Sequence, residues 1–101
     1  MVKHMVMWTL KDSAAGADKA ANAGKMKALL EALPGLVPGL LKLEVSTDVF
    51  AAAPAPFDVV LYSEFATRAD LDVYQGHPEH LRVVEFVKQV VATRSVLDYE
   101  V

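Results

Sequence analysis

The segment Tyr74-Gln75-Gly76-His77-Pro78-Glu79-His80 concentrates side chains that can exchange protons, and it holds two of the three histidines of the chain. Histidine changes charge near neutral pH and suits a general base, and a tyrosine hydroxyl can hold a carbonyl oxygen as charge develops on it. The segment therefore predicts Tyr74 and His80 as an acid–base pair. The alternative left open by the residues is a buried His80 that only fixes a helix junction.

A break between two helices is predicted to position this pair. Residues 67–70 resemble a capping box and open a short helix that carries Tyr74. His77 is expected to cap the next helix, with Pro78 at its first position. His80 then shares a helical stripe with three valines, so its side chain is expected to face inward.

The first predicted strand, residues 2–11, supplies the third histidine, and its even positions share one face by the two-residue period of a strand. Together with the third strand this face is expected to form an apolar pocket beneath the helices. The predicted wall of that pocket consists of His4, Val6, Trp8, Val59 and Leu61. Two alternatives remain: an ordinary hydrophobic core, and a His4 that is a core residue with a satisfied hydrogen bond.

The histidines could also be considered as metal ligands, because His-x-x-His on a helix places two imidazoles on nearly one face. His77 is expected to be a cap, however, and Glu79 is expected to face solvent. We therefore predict no metal site. No cofactor is predicted either, since the chain has no Gly-rich phosphate loop.

The order of the remaining elements predicts the fold class. We expect a helix over Ala17–Leu33 capped by Asp12 or Ser13, strands over Leu40–Asp48, Phe57–Phe65 and Val90–Val101, and a loop over Val49–Pro56. In the second strand Leu41, Leu43 and Val45 are expected to share the buried face. The β-α-β-β-α-β order is that of a ferredoxin-like α+β domain, with a four-stranded antiparallel sheet and helices on one face. Residues 1–101 are predicted to form one such domain.

The sheet face opposite the helices is predicted to be apolar. It carries Met5, Met7, Val60 and Tyr62, which a sheet exposed to water on that side would not favour. We therefore expect a homodimer in which two such faces pack together.

Composition narrows the possible partners and locations. Ten Lys and Arg are scattered through a chain of net charge −3, so no nucleic-acid partner is expected. No stretch approaches the roughly 20 apolar residues that span a bilayer, and no secretory leader is expected, so we predict a cytoplasmic protein that does not bind membranes. The absence of Cys excludes disulfides and a thiolate nucleophile.

Four segments resemble the stress-responsive A/B barrel family, known as Dabb. They are residues 3–11, residues 58–65, the segment Tyr74–His80 and the closing segment 96–99, which occur in the family's order. The resemblance implies a ferredoxin-like fold that dimerises into an α+β barrel. A plant branch of the family contains a polyketide cyclase, and the resemblance implies acid–base roles for Tyr74 and His80 and a pocket role for His4. That cyclase has a pocket histidine where this chain has Val59.

Three functions follow as hypotheses. The first is a cofactor-free enzyme of cyclase, isomerase or lyase type that binds a small apolar carbonyl compound. The second is a non-catalytic small-molecule-binding or stress-response dimer that uses the same pocket. The third, by analogy of fold alone, is a cofactor-independent monooxygenase-like dimeric barrel.

Overall fold

The predicted order of elements is confirmed in a computed structural model that describes residues 1–54 and 56–101. The main elements are β1 (Val2–Leu10), a small hairpin of β2 (Ser13–Ala14) and β3 (Ala17–Asp18), α1 (Lys19–Glu31), β4 (Leu40–Ser46), β5 (Val59–Phe65), α2 (Arg68–Gly76), α3 (Pro78–Val90) and β6 (Val91–Glu100). No strand or helix lies in residues 49–54 or at Pro56, as expected for a loop, and residue 55 lies outside the described residues. No described helix is long and apolar enough to cross a membrane.

The four long strands form one antiparallel sheet in the order β4-β5-β1-β6, so β1 is a central strand. Its even-numbered side chains are buried under the helices and its odd-numbered ones are half-buried on the other face. This regular alternation follows from the two-residue period of the strand. The ferredoxin-like α+β fold with helices on one face of the sheet is thus as predicted.

The start of α1 differs from the prediction. Neither Asp12 nor Ser13 caps the helix; the cap is Asp18, whose Oδ1 accepts a hydrogen bond of 2.8 Å from the amide of Ala21. The reason is the unpredicted β2–β3 hairpin, which turns through two residues with positive φ, Ala15 and Gly16, and uses the residues expected in the first helical turn.

The helix junction formed as predicted. Thr67 caps α2 by accepting a hydrogen bond from the amide of Asp70, and Gly76 is its last residue. His77 then caps α3, because its Nδ1 accepts a hydrogen bond of 3.1 Å from the amide of Glu79, and Pro78 begins the helix. This junction sets the relative placement of Tyr74, in the last turn of α2, and His80, in the first turn of α3.

In strand β4 one residue does not lie on the predicted face. The pairing of β4 with β5 shifts register between Leu40 and Lys42, which is the mark of a β-bulge. The extra residue puts Leu40 into the core and leaves Leu41 56% exposed, so Leu41 does not share the buried face with Leu43 and Val45. A simple two-residue period cannot anticipate such a slip.

The outer face of the sheet brings the four predicted apolar side chains together. Met5 lies directly opposite Tyr62 and Met7 directly opposite Val60 in the β1–β5 ladder, and all four are half-buried. On β6, Leu97 pairs with Met5 and is 52% exposed, which extends the apolar surface. Within the described residues no helix covers this face.

Candidate functional site

A cavity of about 430 Å³ lies between the inner face of the sheet and α3. This volume falls within the range of small-molecule pockets. Its lining residues are His4, Val6, Trp8, Leu30, Leu61, Tyr74, Gln75, His80, Leu81, Val83, Val84, Val87, Lys88, Val91 and Arg94. Most of them are apolar, and the polar ones gather near the helix junction or near the exposed side of β6.

Tyr74 forms a buried part of the wall and is only 1% exposed. Its ring lies against Phe65, with centroids 5.2 Å apart, which holds the side chain in place. Burial raises the pKa of Tyr74 to about 12, so the hydroxyl stays protonated at neutral pH. Its hydroxyl has no hydrogen-bond partner among the described residues. The Tyr74 hydroxyl is thus a neutral group that can donate a hydrogen bond.

His80 lies directly beside Tyr74, with ring centroids 4.3 Å apart. Its Nδ1 is 3.2 Å from the carbonyl oxygen of Gln75, and because a carbonyl only accepts, Nδ1 carries the proton. In the neutral ring the lone pair therefore lies on Nε2. Burial, chiefly, lowers the pKa of His80, so the ring is neutral at physiological pH and able to accept a proton.

The depressed pKa of His80 gives a stability prediction. The unfolded chain holds a proton on residue 80 up to about the ordinary pKa of 6.5, whereas the folded protein has already released it. The contribution of His80 to the free energy of unfolding is therefore fully present above the ordinary pKa of 6.5. It is lost as the pH falls through the pKa that His80 has in the folded protein. We expect the melting temperature of the wild type, relative to that of His80→Asn, to fall between about pH 7 and pH 5. Differential scanning calorimetry of both proteins measures this, and a difference independent of pH would contradict it.

His4 approaches the same site from the sheet. It is 3% exposed, and its Nδ1 donates to the carboxylate of Asp98, its cross-strand partner on β6. Its ring centroid is 6.2 Å from that of Tyr74, edge to face. The Asp98 contact satisfies one nitrogen and orients the ring, so Nε2 is the nitrogen that does not take part in this contact.

The other predicted wall residues divide into two groups. Val6, Trp8 and Leu61 line the cavity, but Val59 does not. Val59 lies opposite Trp8 on β5 and is fully buried in the hydrophobic core. Trp8 has a further property: its Nε1–H is buried and has no acceptor among the described residues. An unpaired buried donor costs roughly 1–3 kcal/mol, so an acceptor brought within reach would stabilise this indole.

The residues considered as metal ligands are not gathered in one place. His77 uses Nδ1 to cap α3, and Glu79 forms an ion pair of 2.6 Å with Arg82. In residues 1–54 and 56–101 no three His, Asp or Glu side chains are close enough together to hold a metal ion.

Several residues that line the cavity or contact its wall were not predicted as site residues. Asp98 reaches His4 through the β1–β6 register, and Arg94 lies opposite Trp8 by the same register. Gln75 contributes a backbone carbonyl, and Lys88 lies two turns along α3 from His80. An alignment of the last strand against the first by the two-residue period is the signal that could have found Asp98 and Arg94.

Comparison with known proteins settles the family. The family model described as Stress responsive A/B Barrel Domain, Dabb, matches residues 2–101. The chain belongs to the Dabb family. The predicted family is thus confirmed over almost the whole chain. A comparison with curated proteins finds no match.

Solved structures of similar fold include other Dabb-type proteins. A dimeric protein of unknown function and ferredoxin-like fold from Bacteroides fragilis is 30% identical, with a TM-score of 0.83, and the match covers 99% of this chain and 95% of that one. A Dabb family protein from Mesorhizobium loti is 20% identical, with a TM-score of 0.77 and coverage of 99% and 95%. A hydroxynitrile lyase from Passiflora edulis is 20% identical, with a TM-score of 0.77 and coverage of 97% and 90%. At 20% identity, the last two likenesses concern the fold alone.

Proposed function

We propose that this Dabb protein binds a small, mostly apolar carbonyl compound in the cavity and catalyses proton transfer on it. His80 is the general base and Tyr74 is the donor that stabilises the oxyanion. The observation that carries the proposal is that one cavity reaches both residues, whose rings are 4.3 Å apart. The non-catalytic carrier would use the same cavity without needing a neutral His80.

The chemistry uses groups of the chain itself. Nε2 of His80 removes a proton from the carbon next to the carbonyl, and the electron pair moves to the oxygen. The Tyr74 hydroxyl, which burial keeps protonated, donates a hydrogen bond to that oxygen. The imidazolium then returns the proton to carbon, which completes an isomerisation or an exchange. The same base acting on the hydroxyl of a cyanohydrin would break the bond to the nitrile carbon, and cyanide would leave as HCN with the returned proton.

A test of this proposal needs no knowledge of the natural substrate. We expect the wild-type protein to accelerate deuterium uptake from D₂O at the α-carbons of octan-2-one or 1-phenylpropan-2-one, measured by proton NMR. Mandelonitrile, with benzaldehyde release followed by absorbance, tests the lyase variant of the chemistry. Binding is followed in parallel by the fluorescence of Trp8, the single tryptophan and a wall residue.

The outcomes separate the two functions. Binding together with accelerated exchange or cleavage supports catalysis. Binding of these ketones without either reaction would favour the non-catalytic carrier. Absence of binding across the set would contradict a carbonyl-binding cavity.

We also propose that the protein is a homodimer through the outer sheet face of Met5, Met7, Val60 and Tyr62. The half-buried apolar pairs on β1 and β5 and the exposed Leu97 on β6 support this face. The similar protein from Bacteroides fragilis is described as dimeric, which supports the same assembly here.

A further inference from the structure

Four basic side chains, two of them histidines, line the cavity. They are His4, His80, Lys88 and Arg94, and no Asp or Glu is among the described lining residues. Asp98, behind His4, is engaged with that histidine. The chain as a whole has a net charge of −3, whereas its described wall residues include basic groups and no carboxylate. The wall therefore differs from the whole chain in the balance of its charged groups.

The cavity has two distinct polar ends. Along β1, His4 and Trp8 are separated by about 13 Å at the rise of a strand. Along α3, His80 and Lys88 are separated by about 12 Å at the rise of a helix. Strand β1 and helix α3 run in the same direction beside the cavity. Helix α3 starts beside Tyr74, and its last residue, Val90, leads directly into β6 opposite Leu10 of β1. One end thus holds the acid–base pair, and the other holds Trp8, Lys88 and Arg94.

Arg94 is the principal charge of the second end. It is exposed, it lies opposite Trp8 on the helix-facing side of β6, and it forms no ion pair with any described residue. Arg94 lines the cavity, and its charge is a further cause, after burial and His4, that lowers the pKa of His80. Lys88 on α3 also lines the cavity, and its Nζ is 3.6 Å from the carboxylate of the exposed Glu85.

We propose that the natural ligand is an apolar carboxylic acid that also carries a separate carbonyl group. Its carboxylate binds Arg94 and Lys88, and the separate carbonyl reaches Tyr74 and His80. The proposal rests on the carbonyl-binding function proposed above and names the substrate class. Arginine presents a planar fork of N–H donors that matches both oxygens of a carboxylate, and no wall carboxylate opposes the ligand's charge. The valines of α3 and Leu61 between the two ends suit the apolar body of such an acid.

The test compares two ligands with the same alkyl chain, one that ends in a charged carboxylate and one that ends in a neutral carboxamide. Octanoate and octanamide are titrated into the wild-type protein near neutral pH by isothermal calorimetry and by Trp8 fluorescence. We expect octanoate to bind roughly tenfold more tightly, because charge-assisted hydrogen bonds are stronger than neutral ones and solvent screens this half-open end. Added salt should weaken octanoate binding and leave octanamide binding unchanged.

Two arginine variants test whether Arg94 is the residue that binds the carboxylate. Arg94→Gln should weaken octanoate binding to about the level of octanamide binding. Arg82→Gln is the control, since Arg82 lies on α3, pairs with Glu79 and does not line the cavity. It should keep the full preference.

The outcomes distinguish this proposal from the function on which it rests. Equal binding of octanoate and octanamide to the wild type would overturn the acid specificity and leave the carbonyl-binding cavity standing. A preference that survives Arg94→Gln would also overturn the assignment of the carboxylate site. Failure of both ligands to bind would count against the cavity as a binding site at all.

Discussion

Replacing His80 with Asn is expected to lower the α-proton exchange of a bound ketone by roughly 10²–10⁴-fold, the usual contribution of a general base. The Asn amide can take the place of Nδ1 and donate to the carbonyl of Gln75, but it offers nothing at the position of Nε2. The variant therefore removes the base while it keeps the hydrogen bond that ties α3 to the end of α2. NMR exchange rates and melting temperatures of the purified proteins measure the two effects separately.

Two further variants make this result specific. His77→Asn removes the neighbouring imidazole but keeps a good helix cap, so its exchange rate should equal that of the wild type. Tyr74→Phe should reduce exchange less than His80→Asn, because it removes one donor to the oxyanion and leaves the base. If His80→Asn keeps full exchange and His80→Ala only lowers the melting temperature, His80 is a structural residue of the junction.

Replacing Met7 with Lys is expected to convert the dimer to a monomer. Met7 is at the middle of the outer face, directly opposite Val60, and a buried aliphatic or Met side chain contributes roughly 1.5–3 kcal/mol. The substitution removes that contribution from both protomers and places an unpaired ammonium group in each half of the interface, which is costly to desolvate. Sedimentation velocity at micromolar concentration measures the change in mass.

The control for this experiment is Val73→Lys. Val73 is an apolar side chain on α2, 51% exposed, on the helix side of the sheet. It should remain dimeric, which shows that an added lysine does not itself prevent association. A dimeric Met7→Lys protein would place the interface on another surface, and a monomeric wild type would contradict the dimer.

The register between distant strands depends on the whole fold of this chain and not only on the local pattern of each strand. His4 and Asp98 meet although 94 positions separate them, and the same β1–β6 register brings Arg94 opposite Trp8. Register depends on turns, bulges and packing as well as on the local pattern. For the same reason the bulge that turns Leu41 outward and the burial of Val59 away from the cavity are visible only in the folded chain.

Features that depend on neighbouring residues were predictable from the amino-acid sequence. The alternation on β1, the capping residues Thr67 and His77 and the break before Pro78 each act over a few positions, and together they predicted the order of elements and the orientation of Tyr74 and His80 toward one another. The size of the cavity, about 430 Å³, and the place of Arg94 in its wall depend on how distant segments pack. A cavity is the space that packed elements leave between them, and its size and charge depend on how distant segments meet.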